Sequence, residues 1–199
     1  MNEPVEIARL TPQRLGDFLA FFEGDAFADN PRWASCYCQY LHVDHDQVDW
    51  HRRSAEVNRS AACERIDGGR MHGLLAYRGG KVVGWCNAAP KTMLAALAGE
   101  SDADRDRVGR IGCFVVAKAQ RRSGVARALL GAACEMLADL GLEIAEASPR
   151  AKEGTDAEGH YGPLRLYLGA GFTPHRDGDD GEVIVRRSLT KRPAQAQPA

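Results

Sequence analysis

The strongest constraint in this 199-residue chain is a strand, a tight turn and a helix in immediate succession. Val108 to Val116 is a mostly apolar run, the pattern of a central strand buried on both faces. Ala126 to Leu140 then carries Leu129, Leu130, Ala133, Leu137 and Leu140 on one helical side and closes at Gly141. Between them lies Arg121-Arg122-Ser123-Gly124-Val125-Ala126. Gly124 and Ala126 remove bulk where the helix begins, and the first amides of a helix have no partner inside it. Those amides and the positive end of the helix dipole favour a phosphate, and Arg121 and Arg122 add charge at the rim. An Arg-x-x-Gly-x-Ala string alone arises easily by chance in a chain with 21 glycines. Its place between an apolar strand and an amphipathic helix is what gives it meaning.

The rest of the chain supplies elements around this unit. Val5 to Leu10 alternates like a half-buried strand, and Thr11-Pro12 starts a helix with Leu15, Phe18, Leu19 and Phe22 that stops near Gly24. Asn30 to Leu41 has no clean period and reads as a loop or short helix, whereas Asp46 to Ile66 predicts a solvated helix ended by Gly68-Gly69. Gly73 to Tyr77 and Lys81 to Asn87 predict an antiparallel hairpin turned by Arg78-Gly79-Gly80. A weak helical patch follows from Lys91, and Gly99 to Arg107 reads as a connecting loop. Leu142 to Ala147 predicts a strand, Arg150 to Gly159 a loop, Pro163 to Ala170 a helix capped by Gly171, and Glu182 to Leu189 a last strand. Residues 1–190 are expected to form a single domain, and 191–199, rich in proline, glutamine and alanine, a disordered tail.

Charge and cysteine content narrow the function classes. With 26 Lys and Arg against 27 Asp and Glu, a formal charge of −1 offers no basic field for a nucleic acid or an anionic membrane. The start Met1-Asn2-Glu3-Pro4 has no signal-peptide pattern and no later run is long enough to span a bilayer, so a cytoplasmic location is expected. In that compartment the six cysteines are expected as free thiols. Cys36-x-Cys38 with scattered histidines falls short of a four-ligand zinc site, so no metal is expected.

On these residues the chain resembles the GNAT acetyltransferases. Their signature turn of Gln or Arg, two residues, Gly, one residue and Gly or Ala is matched by Arg121, Gly124 and Ala126. Cys113-Phe114-Val115-Val116 looks like the family's fourth strand, and Leu166-Tyr167 with Gly171-Phe172 looks like its C-terminal element. The resemblance implies an α/β (α+β) fold: a mixed, mostly antiparallel sheet splayed between its fourth and fifth strands and flanked by helices. It implies acetyl-CoA as co-substrate, with the pantetheine arm along Phe114, Val115 and Val116. The pyrophosphate falls on Arg121, Arg122, Ser123, Gly124, Val125 and Ala126. His160 stands where many relatives carry an asparagine, to contact the coenzyme, orient a water or cap the following helix.

Amide formation needs a neutral amine, although an alkylammonium has a pKa of about 10.4, and it needs a proton for the departing thiolate. Tyr167 matches the family's tyrosine near the coenzyme sulfur and is the candidate proton donor. A glutamate early on the fourth strand serves many relatives as base, but Val108-Gly109-Arg110-Ile111 has no carboxylate there. Glu146 on the next strand is the candidate in its place. Trp33, Tyr37 and Trp85 are candidates for the acceptor side, where aromatic faces bind cationic amines, with core packing as the competing account. The acceptor is expected to be a primary amine on a small molecule, peptide or protein, and a homodimer is among the assemblies allowed. A non-catalytic acyl-CoA-binding module of the same fold is the alternative left by the missing glutamate.

Overall fold

The computed structural model describes residues 3–152 and 159–190. The expected tail at 191–199 and part of the loop between Arg150 and Gly159 lie outside the described residues. Among the described residues seven strands form one sheet: β1 (Glu6–Arg9), β2 (Gly73–Arg78), β3 (Lys81–Pro90), β4 (Val108–Val116), β5 (Ile144–Ala147), β6 (Thr173–Asp177) and β7 (Val183–Ser188). Their spatial order is β1-β2-β3-β4-β5-β7-β6, antiparallel throughout except for β4 and β5.

Alternation along the strands feeds two cores. Ala76, Cys86, Ile111 and Phe114 face α3 (Val125–Asp139), which buries Leu129, Leu130, Ala133 and Leu137 against them. Leu75, Trp85 and Val115 face the other way, against Phe18, Phe21 and Phe22 of α1 (Leu15–Phe22) and Ala62 and Ile66 of α2 (Ala55–Asp67). Gly112 bulges out of β4, because Asn87 of β3 pairs with Cys113 while Ala88 pairs with Ile111.

The sheet is forked, as the resemblance implied. Parallel pairing of β4 with β5 lasts for Val108↔Ile144, Gly109↔Ala145 and Arg110↔Glu146. Beyond Arg110 the two strands part, and α4 (Leu164–Leu168) returns the chain near the gap.

Local chemistry explains where the sequence reading shifts. The hairpin turn has two residues rather than three, since Arg78 pairs with Lys81 and Gly79 and Gly80 take φ of +58° and +72°. α2 begins at Ala55, not near Asp46, because the Ser54 hydroxyl caps it by accepting from the Val57 amide at 3.3 Å. Asp49, accepting from the His51 amide at 3.0 Å, closes a separate short turn before it. Strand β6 had no sequence signal: all five residues of Thr-Pro-His-Arg-Asp are exposed, so no buried face imposes alternation. Pro174 is tolerated there because β6 is an edge. All six cysteines are free thiols.

Candidate active site

A cavity of about 1040 Å³ opens where β4 leaves β5 and extends to the start of α3. At the α3 end its wall includes Gly124, Val125, Ala126 and Arg127. The first bond of the helix runs from the Ala128 amide to the Gly124 carbonyl at 3.0 Å, so the four preceding amides have no α-helical partner. Gly124 precedes the helix at φ +89°, a conformation that suits glycine, and a Cβ there would meet nothing within 4 Å. Glycine is therefore set by backbone conformation, and the space beside it is left to a ligand.

The other turn residues divide the work. Arg122, at φ +61°, lines the cavity. Arg121 lines it too, but its guanidinium grips Asp29 through two bonds of 2.6 and 2.9 Å and donates to the Val116 carbonyl at 3.2 Å. That guanidinium holds the Asp29 carboxyl below the usual range, and much of the Arg121 charge is met inside the protein. Asp29 gave no sequence signal, standing far from Arg121 in the chain. Ser123 donates to the Gln120 carbonyl at 2.7 Å and accepts from Arg78 at 3.1 Å, so its hydroxyl fixes the turn.

At the fork, Phe114, Val115 and Val116 line the same cavity together with His160, Tyr161 and Gly162. The Phe114 amide donates to the His160 carbonyl at 2.6 Å, which closes part of the β4 edge expected for pantetheine. Tyr167 is fully buried and donates its hydroxyl to the Tyr161 carbonyl at 2.6 Å. Its ring packs edge-on against Phe172 at 5.3 Å and Phe114 at 6.3 Å, and burial pushes its pKa well up. The phenol thus lies behind the His160–Gly162 turn rather than on the cavity wall. Trp33 lines the cavity and packs edge-on against His160 at 4.6 Å.

Glu146 is not a carboxylate facing the cleft. Its side chain has no exposed surface, and its oxygens are held by Lys91 at 2.8 Å, Arg110 at 2.9 Å and Arg186 at 2.7 Å. Burial alone raises its pKa, but the bonds and charges of Lys91, Arg110 and Arg186 prevail and keep it below the ordinary value. Lys91, equally buried, also meets Asp102 at 2.5 Å and Glu100 at 2.7 Å. The carboxylates of Glu100, Asp102 and Glu146 converge as metal ligands do, and the Lys91 ammonium already bonds all three. This cluster ties the end of β3 to β4, β5 and β7 at the last paired position before the fork. Lys91 escaped the sequence reading because its partners come from two separate segments, Glu100 with Asp102 and, farther along, Glu146.

Two of the three acceptor-side candidates are core residues. Trp85 is fully buried, edge-on to Phe18 at 5.1 Å and Phe22 at 6.2 Å. Tyr37 stacks on Phe22 at 6.1 Å and is equally removed from the cavity wall. Their aromatic rings satisfy the second core, which left no surface to a ligand.

The sequence pattern of the Acetyltransferase (GNAT) family matches residues 32–161. Solved structures align along almost the whole chain. The ribosomal-protein-alanine N-acetyltransferase of Brucella melitensis is 20% identical, with a TM-score of 0.54 over 92% of this chain and 99% of its own. The PaiA N-acetyltransferase of Thermoplasma acidophilum, in complex with coenzyme A, is 12% identical, with a TM-score of 0.56 over 93% and 99%. A Salmonella typhimurium protein solved with its cofactor acetyl-CoA is 14% identical, with a TM-score of 0.53 over 98% of each chain. Likeness at these identities establishes the fold. A search of curated proteins found no match.

Proposed function

Because the chain belongs to the GNAT acetyltransferase family, we propose that it moves an acetyl group from acetyl-CoA to a primary amine by direct transfer in a ternary complex. One observation carries the reading: the amides of Gly124 to Arg127, which have no α-helical partner, and the stretch of β4 beyond Arg110, which no longer pairs with β5, open into a single cavity. The site fits the coenzyme. The Gly124 to Arg127 amides suit its pyrophosphate, and Arg122 and Arg127 on the same wall add positive charge. Phe114 to Val116 offer strand backbone to the amides of its pantetheine arm.

The protein's own groups then divide the chemistry. As the C–N bond forms and the C–S bond breaks, the departing thiolate, with a thiol pKa of about 8.5, needs a donor. Tyr167 supplies it once its hydroxyl exchanges the Tyr161 carbonyl for the sulfur. The Phe114 amide makes the matching exchange from His160 to the coenzyme.

Coenzyme A release with a panel of aminoglycosides, polyamines, amino acids and peptide N-termini tests the reading. Turnover on one amine class is the expected result. Tight acetyl-CoA binding with no turnover across the panel would instead support the binding module of the same fold, the alternative that the absent β4 carboxylate keeps open.

A further inference from the structure

Transfer to an amine needs a proton acceptor, and neither β4 nor Glu146 supplies one. A second carboxylate stands on the other side of the fork. Glu182 immediately precedes β7, next to Asp180 and Gly181, which line the cavity. Its backbone is pinned from several sides. The Glu182 amide donates to Asp179 at 2.9 Å, its carbonyl accepts from Gly178 at 2.9 Å, and it forms a bridge with Arg150, another cavity residue. On either side, the Val183 amide reaches Pro149 at 2.8 Å and the Ala151 amide reaches Gly181 at 2.9 Å. Asp180 is held at φ +50°, a conformation that costs a non-glycine residue energy and that clusters at functional sites.

The carboxylate has polar neighbours on several elements. Ser148, buried at the end of β5, hydrogen-bonds both Arg110 and Glu182. Arginine only donates, so the Ser148 oxygen accepts from Arg110 and its single proton is left for the Glu182 carboxylate. The other groups around Glu182 are Arg110 from β4, Arg150 from the bridge, Asp179 from its own turn and the Tyr161 phenol from the cavity wall. Glu146 is ion-paired to three cations, whereas Glu182 forms no ion pair among the described residues. Burial raises its pKa, with Asp179 helping, against the opposing pull of Ser148, Arg110 and Arg150. A half-buried carboxylate with a raised pKa is better matched to general-base catalysis than one locked in ion pairs.

We propose that Glu182 is the catalytic base that deprotonates the acceptor ammonium, in place of the carboxylate that β4 lacks. The assignment rests on the acetyl-transfer reading. One ammonium proton passes to a Glu182 oxygen and then to solvent, and the neutral nitrogen attacks the thioester carbonyl. As the C–S bond breaks, a second nitrogen proton is lost, and the departing sulfur takes a proton from Tyr167, which the second proton restores. The products are amide, free thiol and one released proton.

The test compares the parent with Glu182→Gln, which can still accept from Ser148, and Glu182→Asp, in CoA release assays from acid to alkaline pH. For Glu182→Gln, kcat/KM for the amine is expected to fall about 100-fold near neutrality, within the range removed with a general base. The deficit should shrink as rising pH neutralises the amine unaided, and the acid limb set by Glu182 should vanish. Acetyl-CoA affinity and Tm should stay at parental values, and Glu182→Asp should recover part of the rate. A Glu182→Gln rate within threefold of the parent at every pH overturns the assignment and leaves acetyl transfer standing. A constant deficit at all pH values also overturns it, in favour of a structural role. A parent that turns over no amine removes both readings.

Discussion

At the α3 end of the cavity the amides of Gly124 to Arg127 stand without helical partners, whereas at the fork the Phe114 amide and the Tyr167 hydroxyl already bond the carbonyls of His160 and Tyr161. The α3 end is preorganised, so an anion gains its bonds there without rearrangement. The fork must trade internal bonds for external ones. Anchoring therefore costs little structural change, while the Tyr167 hydroxyl, the proposed proton donor, is released only when the turn that holds it gives way.

Four substitutions probe this contrast, and the largest effect belongs to neither end. Glu146→Ala leaves Lys91, Arg110 and Arg186 facing a buried void, and a loss of about 3–5 kcal/mol of unfolding free energy is expected in urea titration. Because the Glu146 pKa is depressed in the folded protein, its contribution is present above the unfolded carboxylate range. It is lost as pH falls through the lower folded value, so the parent should lose more stability on acidification than the variant. A variant that keeps its stability but loses turnover would restore Glu146 as a catalytic group.

Tyr167→Phe comes next, with kcat expected to fall about 100-fold. Stability should drop by about 1 kcal/mol from the abandoned Tyr161 carbonyl, and acetyl-CoA affinity should barely move. An equal loss of affinity and rate would show that the two ends are not separable. Gly124→Val acts on the anchoring end alone. Forcing a β-branched residue toward φ +89° costs about 1–2 kcal/mol, expected as an acetyl-CoA Kd raised roughly tenfold with kcat preserved at saturation.

Gly162→Ala should be smallest and opposite in sign. Gly162 has φ +76° and its new Cβ would lie 3.2 Å from the Tyr167 ring, so the variant loosens the turn that occupies the fork by about 1 kcal/mol. If that turn yields to the coenzyme, acetyl-CoA binds a few-fold more tightly, because the competing closed state has been weakened. Weaker binding in calorimetry would mean that the turn is part of the coenzyme's seat.

What the sequence disclosed follows from which features are local. The β4–turn–α3 unit was legible because apolar periodicity, Gly124 and the helix start lie within one continuous stretch. Tyr167 and Phe172 were legible as a second short pattern, and the forked sheet was implied by the family resemblance that the two patterns carry. The partners that decide each group's chemistry were hidden, since Arg121 meets Asp29, and Glu146 meets Lys91 and Arg186, across long separations. Aromatic residue type could not say whether Trp33, Tyr37 and Trp85 meet a ligand or a core; the sheet faces decided it, keeping Trp33 at the cavity. Glu182 was overlooked because its setting is made by Ser148 and Arg150, brought close only by the β5–β7 pairing.

The fork has a consequence for the molecule as a whole. A sheet that stops pairing after three positions between β4 and β5 is unfinished at its centre, and a ligand that fills the gap acts as an additional strand. Its binding free energy then adds to that of folding, about 2.7 kcal/mol at a hundredfold excess over Kd. If acetyl-CoA is that ligand, as proposed, resistance to heat and proteolysis becomes a gauge of how much acylated coenzyme surrounds the protein.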